Sequence, residues 1–427
     1  MEINLKDKTV LVFDYGGFVE VAIRLSRDFG RVLYYCPYES EFMKHQPYII
    51  GDGIPSVERV NNIWDYYHEV DLFVFTDLHQ GPFQDWLREH GKLVFGAGRG
   101  EDMELYRDRM KSLQREIGLP VNEHWIVEGL DNLKTLLEPM EDVWVKTNLF
   151  RGDGETWHYI NKQLSEEKLI ELEDSLGANR DNVIFVVEQS IKDCVEAAYD
   201  GFAINGLYTR ICPVGLEIKD EAYIMKLVEY DKIPKPLKDV TDKLAPIFRE
   251  YNYRGDYGNE VKILKDGTGY LLDQTTRCPS PPTSIKIEII ENYSQCVYLI
   301  AMGMVPEIRY KYKYGCQVSI KSDWAKAKPQ PVYFPEKYKD FVKLKNLYID
   351  KDGVYKYIPK KDLETDYAGA EGIGAVVGLG NTLEEAQGMC KKIAKEVKGY
   401  GIYIESHTLD AAQKELDKLT KFGIKLF

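Results

Sequence analysis

The sequence predicts a multidomain chain of mixed α/β and α+β class. Its 427 residues exceed what one hydrophobic core organises, which sets two to four domains. Over the first part of the chain, short apolar runs alternate with helical patterns, and that order builds a parallel sheet with helices on its faces. Further on, strands, helices and an Asp-Gly hairpin follow one another without that rhythm, as in α+β units.

The elements follow in order. Residues 8–13 form an apolar strand that ends at Asp14-Tyr15-Gly16-Gly17; a helical pattern covers 18–29 and a second strand 31–36. Residues 70–75 and 92–95 are further strands, each followed by turn residues. The glycine pair lacks the full G-x-G-x-x-G spacing, so tight strand-to-helix packing is its plainest meaning. Residues 101–117 read as one helix, stopped by Gly118 and Pro120. Strands are expected at 125–127, 142–147, 157–160 and 182–188, with helices near 131–137 and 165–176. A polar glycine loop fills 149–156, and 195–198 begins another strand. A break at 232–236 precedes a helix over 237–251. The proline-rich stretch 278–283 is expected to be irregular, and 285–304 helical. The last unit ends in helices near 382–396 and 409–422 with a strand at 401–405 between them.

The most informative segment runs from Glu260 to Arg277, with Asp266-Gly267 at its centre. Asp-Gly between apolar alternations signals a two-residue type I′ turn. Counting outward pairs Lys265 with Thr268 and sets Glu260 opposite Asp273. Val261, Ile263, Tyr270 and Leu272 then share one face, and Glu260, Asp273, Thr275 and Arg277 the other. Facing carboxylates repel, and a hard cation such as Mg²⁺ relieves that. A solvated hairpin edge gives the same pattern.

Composition narrows the classes. Hydrophobic content of 44% and charged content of 29% are those of a soluble globular protein, and no run of eighteen apolar residues crosses a membrane. The start shows no secretory signal. Seven scattered cysteines without a Cys-x-x-Cys pair fit a cytoplasmic location and argue against structural zinc. A net charge of −13 argues against a sequence-independent nucleic-acid binder.

Taken together, the chain resembles the ATP-grasp ligases, nearest to phosphoribosylamine–glycine ligase with features of the biotin carboxylase type. The resemblance covers most of the chain, including the end piece Ile373 to Ala386, and is weakest over 311–370. It implies a Rossmann-like domain over 1–105, a two-part ATP-grasp domain over 106–310 with its smaller lid part at about 120–187, and a C-terminal domain over 311–427. It places Arg107 and Lys146 on the ATP phosphates, although Arg107 alone reads as a solvated helix charge. Lys146 ends an apolar strand, where a lysine is costly unless it snorkels or meets an anion. Gly152 and Gly154 fall in the loop that closes over the phosphates, with Arg151 and Asp153 departing from the paired glycines. Glu188, Gln189 and Ile191 match the hinge that receives adenine. The ribose acid is expected near Cys194, with Asp193 as a substitute, and Glu196 matches an inward acid. Lys226 matches a lysine ahead of the metal hairpin. Glu260 and Asp273 match the metal acids, Thr275 stands where the family has an asparagine ligand, and Arg277 is kept for a phosphate or a substrate carboxylate.

The resemblance implies a ligase that uses ATP and Mg²⁺, with Mn²⁺ as an alternative ion. It phosphorylates a carboxylate and passes the acyl group to an amine. The glycine ligase's substrate loop is not found in 204–229, and no biotinyl-lysine context is visible. An amino acid or other small carboxylate joined to an amine is the expected chemistry, in a monomer or homodimer without membrane or nucleic-acid partners. Two alternatives stand: a catalytically altered ATP-binding protein, and a dinucleotide-dependent oxidoreductase with Glu39 as its ribose anchor.

Overall fold

Five parallel strands open the chain. β1 (Thr9–Phe13), β2 (Arg31–Tyr35), β3 (Glu58–Arg59), β4 (Leu72–Phe75) and β5 (Leu93–Phe95) pair in the order β3-β2-β1-β4-β5. The structure, a computed structural model, describes residues 3–37, 49–149, 156–218, 221–325, 328–359 and 371–424. Val10–Phe13 and all of β4 are buried, as expected of parallel strands covered on both faces. The strand order reverses between β1 and β4. Their carboxyl ends, Asp14–Gly17 and Thr76–His79, therefore flank the crevice where such sheets bind ligands. Glu39 lies outside the described residues.

The expected helix over 101–117 is broken. A short turn of helix, Asp102–Leu105, is followed by a separate helix, Arg107–Glu116, with Tyr106 at φ −99° and ψ 75° between them. Two buried acids precede the break and hold this segment against distant parts of the chain. Glu101 accepts the amides of Gln80 (3.2 Å) and Gly81 (2.8 Å), and Glu104 accepts the amide of Thr276 at 2.6 Å.

An antiparallel sheet follows, in the order β6-β9-β7-β8: β6 (His124–Glu128), β7 (Val143–Thr147), β8 (Thr156–Tyr159) and β9 (Ile184–Gln189). It has its own core, in which Leu130, Leu133 and Leu137 of one helix meet Val145, Trp157 and Phe185.

The largest sheet is antiparallel and nine-stranded. Its first members are β10 (Cys194–Tyr199), β13 (Ile211–Ile218), β14 (Ala222–Glu229), β16 (Gly258–Leu264) and β17 (Gly269–Thr275). β11 (Phe202–Ile204), β12 (Leu207–Tyr208) and β15 (Arg254–Asp256) form a small sheet beside it. The large sheet runs on without a gap into later residues, because β14 pairs with β18 (Tyr314–Ser322). The expected helix over 285–304 is two helices, Pro282–Ile289 and Tyr293–Ala301. The first begins inside the stretch expected to be irregular. Pro282 stands in its first turn, where no amide is needed.

The remaining strands are β19 (Gln330–Val332), β20 (Val342–Leu344), β21 (Leu347–Ile349), β22 (Tyr355–Tyr357), β23 (Glu371–Gly380) and β24 (Ile402–Tyr403). β23 pairs β18 and β20, whereas β19, β22 and β21 form a sheet of three. The turn between β20 and β21 docks on the parallel sheet's loops. Asn346 donates its amide to Gly16 O (2.7 Å), and Gly51 donates to Leu347 O (2.7 Å). Gly53, at φ +74°, lies so close that an added Cβ would collide with the Ile349 carbonyl oxygen. Gly53→Ala is therefore expected to lower stability by about 2–3 kcal/mol through backbone strain and displacement of this turn. Urea denaturation checks it, and an unchanged midpoint would show that the two segments do not meet this closely.

Candidate active site

A cleft of about 510 Å³ lies between the four-stranded sheet and the nine-stranded sheet, a volume suited to a small-molecule ligand. The chain crosses from one sheet to the other between β9 and β10, so Glu188, Gln189 and Ile191 form its back wall. Val195, Leu216, Ile218 and Leu272 supply apolar surface, and Trp144 faces them from β7.

Lys146 stands near the end of β7 and is buried. Its ammonium donates to both carboxylate oxygens of Asp273 (3.0 Å each) and to Leu272 O (3.0 Å), and lies 3.4 Å from Glu188 Oε1. A second buried lysine completes the group. Lys111 lies 3.1 Å from Glu188 Oε1 and donates to Asn122 Oδ1 at 3.2 Å. Asn122 in turn donates to Glu188 Oε2 (3.2 Å) and Gln189 O (3.1 Å). Burial pulls both ammonium groups down. Asp273 and Glu188 outweigh it for Lys146, which ends above its ordinary value, whereas Lys111 ends below. Glu188 and Asp273 are held low by these cations against their own burial. Arg107 opens its helix, donates to Thr147 O at 2.6 Å, and adds positive charge near Asp273.

The hairpin brings Glu260 opposite Asp273, by a route the residue count did not foresee. The turn holds three residues, not two. Leu264 donates to Thr268 O (2.9 Å), with Gly267 at φ +86°, so Lys262 faces Tyr270 and Val261 faces Leu271. A bulge beyond Val261 then leaves Leu272 unpaired and restores the Glu260–Asp273 match. Leu271, rather than Tyr270 or Leu272, is the strand's buried apolar residue.

Glu260 also lines a narrow recess with Glu196, Glu217, Asp200 and Thr275, closed by the Pro279–Pro282 turn. Burial pushes the Glu260 carboxyl well above its ordinary 4.5, and Glu196, Glu217, Asp273 and Asp200 push the same way. A buried carboxyl held up by its neighbours' charge, among oxygen donors only, suits a hard cation. Among the described residues, no group of three or more His, Cys, Asp and Glu side chains is arranged to hold a metal ion alone. Glu260, Asp273 and Thr275 would thus share an ion with oxygens of a bound ligand, as Mg²⁺ sites with one or two carboxylates do.

Other expected residues lie elsewhere. Arg277 points toward the parallel sheet, with Nε 3.2 Å from Glu104 Oε1 and 3.5 Å from Asp77 Oδ1. Lys226 is directed at the Tyr314 ring, 5.5 Å away, and does not line the cleft. Asp193 is exposed outside the lining, whereas Cys194 belongs to it. Gly152 and Gly154 fall outside the described residues. Lys111, Asn122, Glu217, Glu415 and Lys418 were not foreseen. Lys111 carried a signal, since it lies four residues after Arg107 on one helical face. Glu217 carried none, because its strand shows no alternation.

No protein-family model matches the sequence, and no curated protein matches it. Solved structures do. The chain superposes on phosphoribosylamine–glycine ligase from Thermotoga maritima with a TM-score of 0.68 at 16% identity, over 92% of this chain and 98% of that one. The biotin carboxylase domain of Hydrogenobacter thermophilus 2-oxoglutarate carboxylase, solved with MgADP and bicarbonate, gives 0.64 at 14% identity, over 97% and 98%. L-amino acid ligase from Bacillus licheniformis gives 0.61 at 16% identity, over 94% and 99%. The chain has the ATP-grasp fold.

An acid whose pKa is raised by folding penalises the folded state once pH exceeds its ordinary value, here 4.5. Glu260→Gln is therefore expected to raise the melting temperature at pH 7 without divalent cations, and to leave it unchanged near pH 4. Melting curves across that range check the sign, and destabilisation at pH 7 would refute it.

Proposed function

We propose that this protein is an ATP-dependent carboxylate–amine ligase, with Mg·ATP bound between residues 106–187 and 188–310. The observation that carries the reading is the pairing of buried Lys146 with Asp273 across the cleft, beside Glu260 and in front of the hinge Glu188–Ile191. The fold supports it. A dinucleotide-dependent oxidoreductase leaves this pairing without a purpose.

The chemistry follows from the residues. Lys146 and Arg107 place fixed positive charge where the β- and γ-phosphates would lie. A phosphate that reaches Lys146 competes with Asp273 for its ammonium. Lys111 keeps Glu188 paired meanwhile, so the hinge acid is not left as an isolated buried charge. A substrate carboxylate oxygen attacks the γ-phosphorus and ADP leaves, giving an acyl-phosphate. An amine attacks the acyl carbon, phosphate departs, and the amine's proton is lost to solvent or base, leaving an amide. Glu260 and Asp273, with Thr275, would hold Mg²⁺, which would supply positive charge against the negative charge that develops during phosphoryl transfer. The substrates are proposed as an amino acid or other small carboxylate and an amine.

Saturating Mg·ATP should stabilise the protein by about 2.7 kcal/mol at a hundredfold excess over Kd, read as a rise in melting temperature. Turnover is then measured as ADP release against a panel of carboxylates and amines, with product detected by mass. A melting curve that Mg·ATP leaves in place while NADH moves it would overturn the proposal. In the same assay, Lys146→Gln should lower the rate by on the order of 10²–10³. Wild-type turnover in that variant would make the lysine a structural strut only.

A further inference from the structure

We propose that Glu415, on the helix Thr408–Lys421, is the acid that grips the ribose hydroxyls of the bound nucleotide, so that this helix makes the site selective for ribonucleotides. The inference deepens the reading of the cleft as an ATP site and rests on it.

The helix returns from late in the chain to pack on β10, β13 and β14. Leu409, Leu416 and Leu419 are buried and anchor it. Glu415 and Lys418 sit three residues apart on one face beside this stripe, and both line the cleft together with Gln189, Ile191 and Cys194. Glu415 Oε2 lies 3.7 Å from Lys418 Nζ.

Register along β10 shows which end of the cleft they face. Cys194 pairs with Leu264, Glu196 with Lys262, and Ala198 with Glu260. At about 3.3 Å per residue, Cys194 stands about 13 Å along the strand from the acid pair that marks the phosphate end. The sugar of a nucleotide with its phosphates near Lys146 and Glu260 therefore lies toward Cys194. That position offers only a thiol, a weak hydrogen-bonding group that burial pushes up in pKa and keeps protonated. Asp193 is exposed outside the lining. Phe422, which caps this helix, has its ring 5.7 Å from Lys265 Nζ, next to the Leu264 that pairs with Cys194, which puts the helix's last turns and the Glu415–Lys418 pair toward this end. A carboxylate accepts from two vicinal hydroxyls at once, and Lys418 holds it in place.

The test uses the full chain and calorimetric titration with Mg·ATP, Mg·2′-deoxy-ATP and Mg·3′-deoxy-ATP. Wild type is expected to prefer ATP over at least one deoxy analogue by roughly tenfold or more, the strength of a hydrogen bond to a charged group. Glu415→Gln should remove most of that preference by weakening ATP alone. Lys418→Ala should weaken ATP less and retain part of the preference. Both side chains are half exposed, and unchanged melting temperatures without nucleotide confirm folding. A preference that survives Glu415→Gln, or a wild type that binds all three equally, overturns this inference and leaves the ATP site standing. A wild type that binds none of them overturns the ligase reading as well.

Discussion

Lys146 is the charge on which the cleft depends. It comes from the four-stranded sheet, yet its partners are Asp273 and Leu272 of the nine-stranded sheet and Glu188 of the hinge strand. One ammonium thus ties three elements. Burying it is tolerable only because charges balance: Lys146 and Lys111 face Glu188 and Asp273, with amide and carbonyl groups taking further hydrogen bonds. Such a network contributes little net stability, but removing one member strands another in the interior. Its value lies in geometry: the lobes meet in one register, with a cation already waiting between them.

The surroundings are split by sign. Arg107 adds positive charge beside this balanced group, whereas Glu196, Glu217 and Asp200 add negative charge around Glu260. An anionic ligand finds its welcome on one side of the Glu260–Asp273 pair only. The other side, closed by the Pro279–Pro282 turn, repels a bare carboxylate unless a cation accompanies it. Arg277 stands outside that recess, held by Glu104 and Asp77 next to the parallel sheet's crevice.

Features written in local chemistry were legible in the sequence. The parallel sheet, the hinge, Lys146 and the facing acids of the hairpin could all be read from apolar runs and residue counts. In the hairpin the residue count still pairs Glu260 with Asp273 only because the extra turn residue and the bulge at Leu272 cancel each other before Glu260 is reached. The broken helix at Tyr106 was hidden, because no glycine or proline interrupts the helical spacing between Glu101 and Ile117. β13 was hidden too. It is almost wholly buried, so it shows no alternation, and Pro213 argues against a strand. Pro213 is tolerated because it lies just beyond the last residue of β13 that pairs with β10. The helix carrying Glu415 was recognised as a helix, but no spacing rule says that it comes back to the cleft.

That return has a consequence for how the protein is made. Residues 124–189 hold a core of their own, and every member of it has been made once this stretch leaves the ribosome. The opposite wall is still incomplete at that point. β14 is an edge until β18 emerges, roughly ninety residues later, and the helix over 408–421 packs on it later still. At about 5–20 residues per second, the strand stays unpaired for roughly 5–18 seconds, and the face that the helix covers stays open for about twice as long. The cleft is thus among the last parts of the molecule to be completed, and a nascent chain has one of its walls long before it has both.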